Sequence, residues 1–130
     1  MKLNNLDKEL IEAATKVAKD NSDRYSDLSM HTGCVVKAKS GKIYKGVNIK
    51  TSHSICAEQV AIGQALACGE REFDTIVAVK LNSDGSARVV SPCGVCKTPV
   101  RAPLFLSTCV TVKLNFSIII LSYYVLVDLL

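Results

Sequence analysis

Three cysteines and one glutamate of this sequence have the residue types and spacing needed for metal chemistry. Cys93 and Cys96 are two residues apart and follow Pro92, and Cys56 stands two residues before Glu58, with 36 residues between Cys56 and Cys93. A Cys-x-x-Cys pair alone is weakly diagnostic, because redox enzymes and zinc ribbons also use it. Three thiolates together fit a tetrahedral Zn²⁺ site whose fourth position stays open, which is typical of catalytic zinc.

Two helix N-termini are expected to position these groups. The segment 56–68 opens on Cys56 and is followed by Gly69 as a stop, so it predicts a buried helix. Cys93 stands where another helix would begin, after a helix-strand-turn-strand unit. Because the helix dipole favours ionised thiols, both starts suit metal ligands. The apolar residues expected to face the core from the first of these helices are Val60, Ile62, Ala65 and Leu66.

The other elements predict a layered α/β arrangement. Apolar residues from Leu6 to Ala18 recur at helical spacing, with Asn5 as the expected N-cap. Segments 33–39 and 42–47 read as a β-hairpin, and 75–81 and 87–90 as further strands. The order α, β, β, α, β favours a sandwich. The hairpin lysines are expected to face solvent rather than nucleic acid: Lys37, Lys39, Lys42 and Lys45.

Composition excludes several classes of protein. The chain has 130 residues, of which 48% are apolar and 22% charged, with a net charge of +4. These values fit one small folded domain and are too weakly basic for a dedicated nucleic-acid binder. The charged start MKLNNLDKELIE does not match a secretory signal, so we expect a cytoplasmic, reducing setting. Metal or thiol chemistry is then a better expectation than disulfides.

From about residue 6 to residue 97 the chain resembles the zinc-dependent cytidine deaminase family. That family's pattern is [His/Cys]-Ala-Glu followed by Pro-Cys-x-x-Cys. The segments that begin at Cys56 and Pro92 match these two motifs in the same order. Segments 46–48 and 91–96 look most like the blasticidin-S deaminase branch. The resemblance implies a three-layer α/β/α sandwich and hydrolytic deamination of a cytosine-containing nucleoside or analogue, such as cytidine, deoxycytidine or blasticidin S, to its uracil form.

The resemblance also implies a role for each site residue. The three thiolates named above would hold Zn²⁺, which lowers the pKa of a bound water to about 7. Glu58 would move protons between that water, the ring nitrogen and the departing ammonia. The Ala57 backbone would contact the base carbonyl, and Asn48 the sugar. Cytidine deaminases have Asn-x-Glu where this chain has Asn48-Ile-Lys50, which makes plain cytidine a less secure substrate than an analogue.

Other cysteines and the histidines have simpler interpretations. Cysteine is often a buried packing residue, and this is the expectation for Cys34, Cys68 and Cys109. A lone histidine in a polar stretch is usually a solvated loop residue, so neither His31 nor His53 is assigned to the metal.

The family pattern stops after residue 97. Pro99 and Pro103 interrupt the helix expected there, at a cost of about 3 kcal/mol each in a helix interior. We therefore divide the chain into a deaminase-like body, 1–98, and an atypical apolar tail, 99–130, whose only charges are Arg101, Lys113 and Asp128. The tail has three interpretations: a membrane anchor at 114–130, replacement strands, or a C-terminus exchanged by a reading-frame or splice change, which we favour.

Alternative functions stay open at this point. A replaced C-terminus could leave a catalytically impaired zinc protein, the hairpin lysines could serve an RNA- or DNA-binding or editing deaminase, and Cys93 with Cys96 could exchange disulfides. The expected partners are a small nucleoside and copies of the same chain, since short relatives are usually tetramers. Nucleic acid is not expected, and membrane contact is expected only through 114–130.

Overall fold

The computed structural model describes residues 4–22 and 31–91. Within these ranges the strands form one sheet in the order β2-β1-β3-β4, with antiparallel pairing throughout. The predicted hairpin and the two later strands are all present. The elements, in chain order, are α1 (Asn5–Ser22), β1 (Thr32–Ala38), β2 (Ile43–Val47), α2 (Ala57–Ala67), β3 (Phe73–Leu81) and β4 (Ala87–Val90).

The two helices cover opposite faces of this sheet. Leu10 and Ala14 of α1 pack against Val35 and Val79 on one face. On the other face α2 packs against the alternate residues of the same strands, because successive side chains of a strand point to opposite sides. The result is the three-layer α/β/α arrangement predicted from the resemblance. The buried residues of the α2 side are Cys34, Val36, Ala38, Tyr44, Ala57, Ala61, Ile62, Ala65, Phe73, Ile76 and Ala78.

The N-cap of α1 differs from the sequence prediction. The helix begins at Asn5, and the capping residue is Asn4, whose Oδ1 accepts the backbone N–H of Asp7 at 2.7 Å. In return, Oδ2 of Asp7 accepts the backbone N–H of Asn4 at 3.1 Å. The prediction of Asn5 was wrong because only the residue three positions before Asp7 can make this reciprocal pair.

The buried face of α2 was also predicted incorrectly in part. Ile62 and Ala65 are buried as expected, but Leu66 is 36% exposed and Val60 only half-buried. Cys68 is exposed too, so its predicted packing role is wrong, whereas Cys34 is fully buried. Since α2 is apolar on every side, its pattern does not reveal which side contacts the sheet.

Two glycines allow the helices to approach the sheet closely. A Cβ on Gly33 would lie 2.6 Å from the backbone nitrogen of Ala18 in α1, and a Cβ on Gly46 would lie 2.5 Å from the backbone nitrogen of Ala61 in α2. Gly46 also faces the carbonyl oxygen of Ala57. No side chain fits at either position, so glycine sets the height of both helices above the sheet.

We predict that Gly46→Ala lowers the free energy of unfolding by about 2 kcal/mol or more, because its methyl group would displace the α2 backbone. Gly63→Ala is the matched control, since a Cβ at Gly63 meets nothing within 4 Å. Alanine favours a helix interior by about 1 kcal/mol over glycine. Urea unfolding checks both variants, and equal effects of the two substitutions would contradict the close approach at Gly46.

Several sequence predictions fall on residues outside the described ranges. These are the helix expected after Cys93, the packing role of Cys109, the end of the body at 98 and the tail 99–130. Within residues 4–22 and 31–91, neither helix has the length and apolar character needed to cross a membrane.

Candidate active site

The thiol of Cys56 lies at the N-terminus of α2. Cys56 is the N-cap residue, with an extended backbone (φ −72°, ψ 149°), and it is half-buried. Its backbone N–H donates to Oε1 of Gln59 at 3.2 Å, and the Gln59 backbone faces the Cys56 side chain in return, as in a capping box. The sulfur is therefore held where the helix dipole favours negative charge, as a metal-binding thiolate requires.

An isolated β-bridge places Asn48 beside Cys56. Ile49 and Ile55 each donate a backbone N–H to the other's carbonyl oxygen at 2.9 Å, in antiparallel pairing. The residues one step outside this pair, Asn48 and Cys56, consequently stand opposite each other. The pleat directs their side chains to the side away from Ile49 and Ile55. The residue predicted to bind the sugar and the residue predicted to bind metal thus share one short ribbon.

Strand β1 orients the amide of Asn48. Its Oδ1 accepts the backbone N–H of Thr32 at 2.9 Å, and its own backbone N–H donates to the carbonyl oxygen of Thr32 at 3.1 Å. These two bonds fix the position of the Asn48 side chain relative to β1. Lys50, two residues after Asn48, is exposed.

Glu58 brings a carboxylate into the protein interior. It is 5% exposed, which is unusual for a glutamate. Burial raises the pKa of the neighbouring Cys34 thiol, and the negative charge of Glu58 raises it further. Cys34 is therefore a neutral core residue, as predicted. Glu58, two residues after Cys56, supplies a buried acid-base group next to the candidate metal ligand.

The two other predicted ligands, Cys93 and Cys96, lie outside the described residues. Strand β4 ends at Val90, which packs against the α2 side of the core, three residues before Cys93. Three residues span at most about 10 Å. Within the described ranges, no three side chains of His, Cys, Asp or Glu are grouped as metal ligands. A complete set of three such ligands that includes Cys56 would therefore include residues outside the described ranges, as the predicted set with Cys93 and Cys96 does.

Pairing across the sheet shows where the chain leaves β4. Gly46 pairs with Cys34, Cys34 with Ala78, and Ala78 with Val90, so these four residues form one row across the sheet. The N-terminal turn of α2 lies on Gly46 at the other end of this row. Val90, the last residue of β4, thus lies in the same row as Gly46 and packs on the α2 face.

Three residues that shape the site were not singled out from the sequence. Gln59 stands three residues after Cys56, a spacing typical of capping boxes, and this signal was present. Gly46 is an isolated glycine in a strand, which often marks a close backbone approach. Nothing in the sequence indicated that the backbone of Thr32 holds Asn48, because that contact depends on the pairing of β1 with the segment after β2.

The hairpin lysines do not form a basic patch. Nζ of Lys37 lies 2.8 Å from Oδ2 of Asp74, and Nζ of Lys39 lies 4.0 Å from Oε2 of Glu72. The hydrogen bond from Lys37 lowers the pKa of the Asp74 carboxyl. Lys42 and Lys45, like Lys39, are exposed, and the predicted solvent-facing role holds for these three. Lys37 differs, because it is half-buried in its ion pair.

Comparison with known proteins identifies the family. The sequence profile described as "Cytidine and deoxycytidylate deaminase zinc-binding region" matches residues 4–102, which is more than half of the chain. The chain belongs to this deaminase family. The resemblance seen in the motifs is therefore confirmed, and the zinc-binding region assigns Zn²⁺ as cofactor.

Similar proteins agree with this assignment. The chain is 41% identical to a blasticidin-S deaminase of Bacillus cereus over 98 residues, which are 70% of this chain and 68% of the relative. A cytidine deaminase of Shewanella pealeana is 34% identical over 102 residues, but these cover only 29% of that longer protein. A solved cytidine deaminase of Burkholderia pseudomallei matches 75% of both chains with a TM-score of 0.59 and 28% identity, which confirms the predicted deaminase fold.

The described part of the site fits zinc. A thiol at a helix N-terminus provides the soft, negatively charged ligand that Zn²⁺ prefers, and Glu58 is placed beside it without being needed as a ligand. The roles of Cys93 and Cys96 as zinc ligands stay predictions. The substrate contacts of Asn48 and Ala57 stay predictions as well.

We predict that Cys56→Ser removes most of the zinc from protein purified without chelator, because serine is a poor ligand in a thiolate site. Cys68→Ser is the control, since Cys68 is exposed at the opposite end of α2. Metal analysis should find about one zinc per chain in the wild type and in the control. Full zinc content in Cys56→Ser would show that this thiol is not a ligand.

Proposed function

We propose that the chain catalyses the zinc-dependent hydrolytic deamination of a cytosine-containing nucleoside or analogue to its uracil form. The observation that carries this proposal is the placement of Cys56 and the buried Glu58 in the first turn of α2, with Asn48 opposite Cys56. The cytidine and blasticidin-S deaminases among its relatives support the choice of substrate. Zinc, when held by Cys56, Cys93 and Cys96, supplies a water of lowered pKa.

Glu58 is the proposed proton carrier. Its carboxylate accepts a proton from the attacking water and passes it to the ring nitrogen N3. It then accepts the proton of the hydroxyl formed at C4 and passes it to the departing amino group, which leaves as ammonia. Burial of Glu58 keeps bulk water from competing for these transfers. The products are therefore the uracil compound and one ammonia for each cytosine compound and water consumed.

The start of α2 and the ribbon beside it provide the substrate contacts. The backbone N–H of Ala57 belongs to the first turn of α2, where amide groups have no acceptor within the helix. We assign it to the base carbonyl. We assign the side chain of Asn48, which is held in place by its bond to Thr32, to the sugar portion.

We predict that Glu58→Gln lowers kcat by about 10³-fold or more, because it removes a group that transfers a proton in several steps. Zinc content should not change. The control is Glu70→Gln, at the far end of α2, where the carboxylate accepts hydrogen bonds from Ser40 and Tyr44. Ammonia release from cytidine, deoxycytidine and blasticidin S measures the activity. A zinc-loaded Glu58→Gln variant with normal turnover would exclude this role.

We further propose that the chain forms a homo-oligomer, a tetramer as in short relatives, and that it works in the cytoplasm. The support for assembly is the exposure of large apolar side chains at both ends of α2, with Ile55 42% and Leu66 36% exposed. The support for the cytoplasm is that thiolate ligands are maintained in a reducing compartment. Light scattering of the purified protein should give a mass close to four chains, and a monomer would contradict the proposal.

A further inference from the structure

Two positively charged residues are paired near the end of β3 and the start of β4. Lys80 of β3 pairs directly with Arg88 of β4, and both are exposed. Alternation along each strand puts them on the same face as Ala78 and Val90, the face on which α2 lies. We call Lys80 and Arg88 the cationic pair.

The cationic pair lies at the active-site end of this face. Lys80 pairs with Thr32 of β1, and Thr32 in turn is bonded to Asn48. Asn48, Thr32, Lys80 and Arg88 therefore follow one another across the sheet. With strands about 4.8 Å apart, the backbone of Lys80 is about 10 Å from that of Asn48. This row lies next to the one in which Gly46 supports the start of α2.

The arrangement is unfavourable unless an anion binds there. Like charges directly opposite each other destabilise an antiparallel pair. At the other end of the sheet, Lys37 is neutralised by Asp74, but no carboxylate of the described residues lies within 4 Å of Lys80 or Arg88. Asp84 lies in the turn between β3 and β4, and its carboxylate accepts hydrogen bonds from Ser86 instead. The N–H and the hydroxyl of Ser86 donate to Oδ1 at 2.9 and 2.6 Å.

We propose that the cationic pair binds an anionic group, a carboxylate or a phosphate, carried by the sugar portion of the substrate. This rests on the proposed function, since it places the base at Glu58 and the sugar at Asn48. A substrate held in that way extends from the helix start across the row toward Lys80. The long side chains of Lys80 and Arg88 cover the intervening distance. The exposed Lys50, two residues after Asn48 in sequence, adds positive charge to this end of the molecule.

The test compares uridine with two derivatives that carry an anionic group at the 5′ position of the sugar. Calorimetry with the zinc-loaded full chain measures the binding of uridine, uridine 5′-monophosphate and uridine 5′-carboxylic acid. We expect at least one charged compound to bind about tenfold more tightly than uridine at low salt, and this advantage to shrink as salt is added. The compound that gains affinity shows whether the natural anion is a phosphate or a carboxylate.

Variants test whether the cationic pair is responsible for the tighter binding of the charged compound. Lys80→Gln and Arg88→Gln should each reduce the advantage of the charged compound about threefold or more. Lys45→Gln removes an equally exposed charge from the opposite face and should leave the advantage unchanged. Without ligand, Lys80→Gln should also raise the melting temperature, because it relieves the repulsion from Arg88.

Several results would overturn the inference. These are equal affinity for uridine and both charged compounds, an effect of Lys45→Gln as large as that of Lys80→Gln, or inorganic phosphate binding as tightly as uridine 5′-monophosphate. Binding of a single-stranded oligonucleotide without any gain for the mononucleotide would also overturn it. Deamination of cytidine with no preference for charged ligands rejects only this inference, whereas Lys80-dependent binding without ammonia release rejects only the deamination.

Discussion

The contact between the start of α2 and Gly46 is the constraint on which the site depends. Backbone meets backbone there, with no side chain between the helix and β2. The buried face of α2 continues this pattern, since Ala57, Ala61 and Ala65 follow one another every four residues and are fully buried. Small residues on both partners keep α2 close to the sheet, so its dipole, its N-cap and its first-turn carboxylate occupy fixed positions.

The electrostatic character of the α2-facing side changes along the strands. Near the end of α2, Glu70 accepts hydrogen bonds from Ser40 and Tyr44, and burial, followed by that carboxylate, raises the pKa of Tyr44 to about 12. Charges at this end are matched within the protein. Among the described residues near the start of α2, Lys50 is exposed and the carboxylate of Glu58 is buried. Positive charge at the surface and negative charge in the interior are thus separated at that end.

Local sequence signals are sufficient to predict the order of the elements and the position of Cys56 and Glu58 at the start of α2. Strand alternation predicts the hairpin, and the motif spacing indicates the family. The face of α2 could not be predicted in the same way, because an apolar helix gives no periodic contrast and Leu66 resembles a core residue. The N-cap of α1 was ambiguous for a similar reason, since Asn4 and Asn5 are both good caps and only the bond to Asp7 distinguishes them.

Most features that the sequence does not predict are contacts between segments that are distant in sequence. The bond from Thr32 to Asn48 and the pairing of Lys80 with Arg88 depend on register, which the hydrophobic pattern restricts only to the correct face. From the sequence alone, Lys80 and Arg88 are ordinary solvent-facing strand residues, and only the order β2-β1-β3-β4 places them in one row with Thr32 and Asn48. The surroundings of Lys80 and Arg88 therefore depend on the pairing of the strands and not on their neighbours in sequence.

The bridge between Ile49 and Ile55 has an evolutionary consequence. It closes the five residues from 50 to 54 into a loop whose ends are fixed by their own hydrogen bonds. Substitutions at the exposed positions 50–54 leave the bridge in place, because both of its hydrogen bonds are made by backbone atoms. Related sequences can therefore vary the side chains of this loop while Asn48 and Cys56 stay opposite each other.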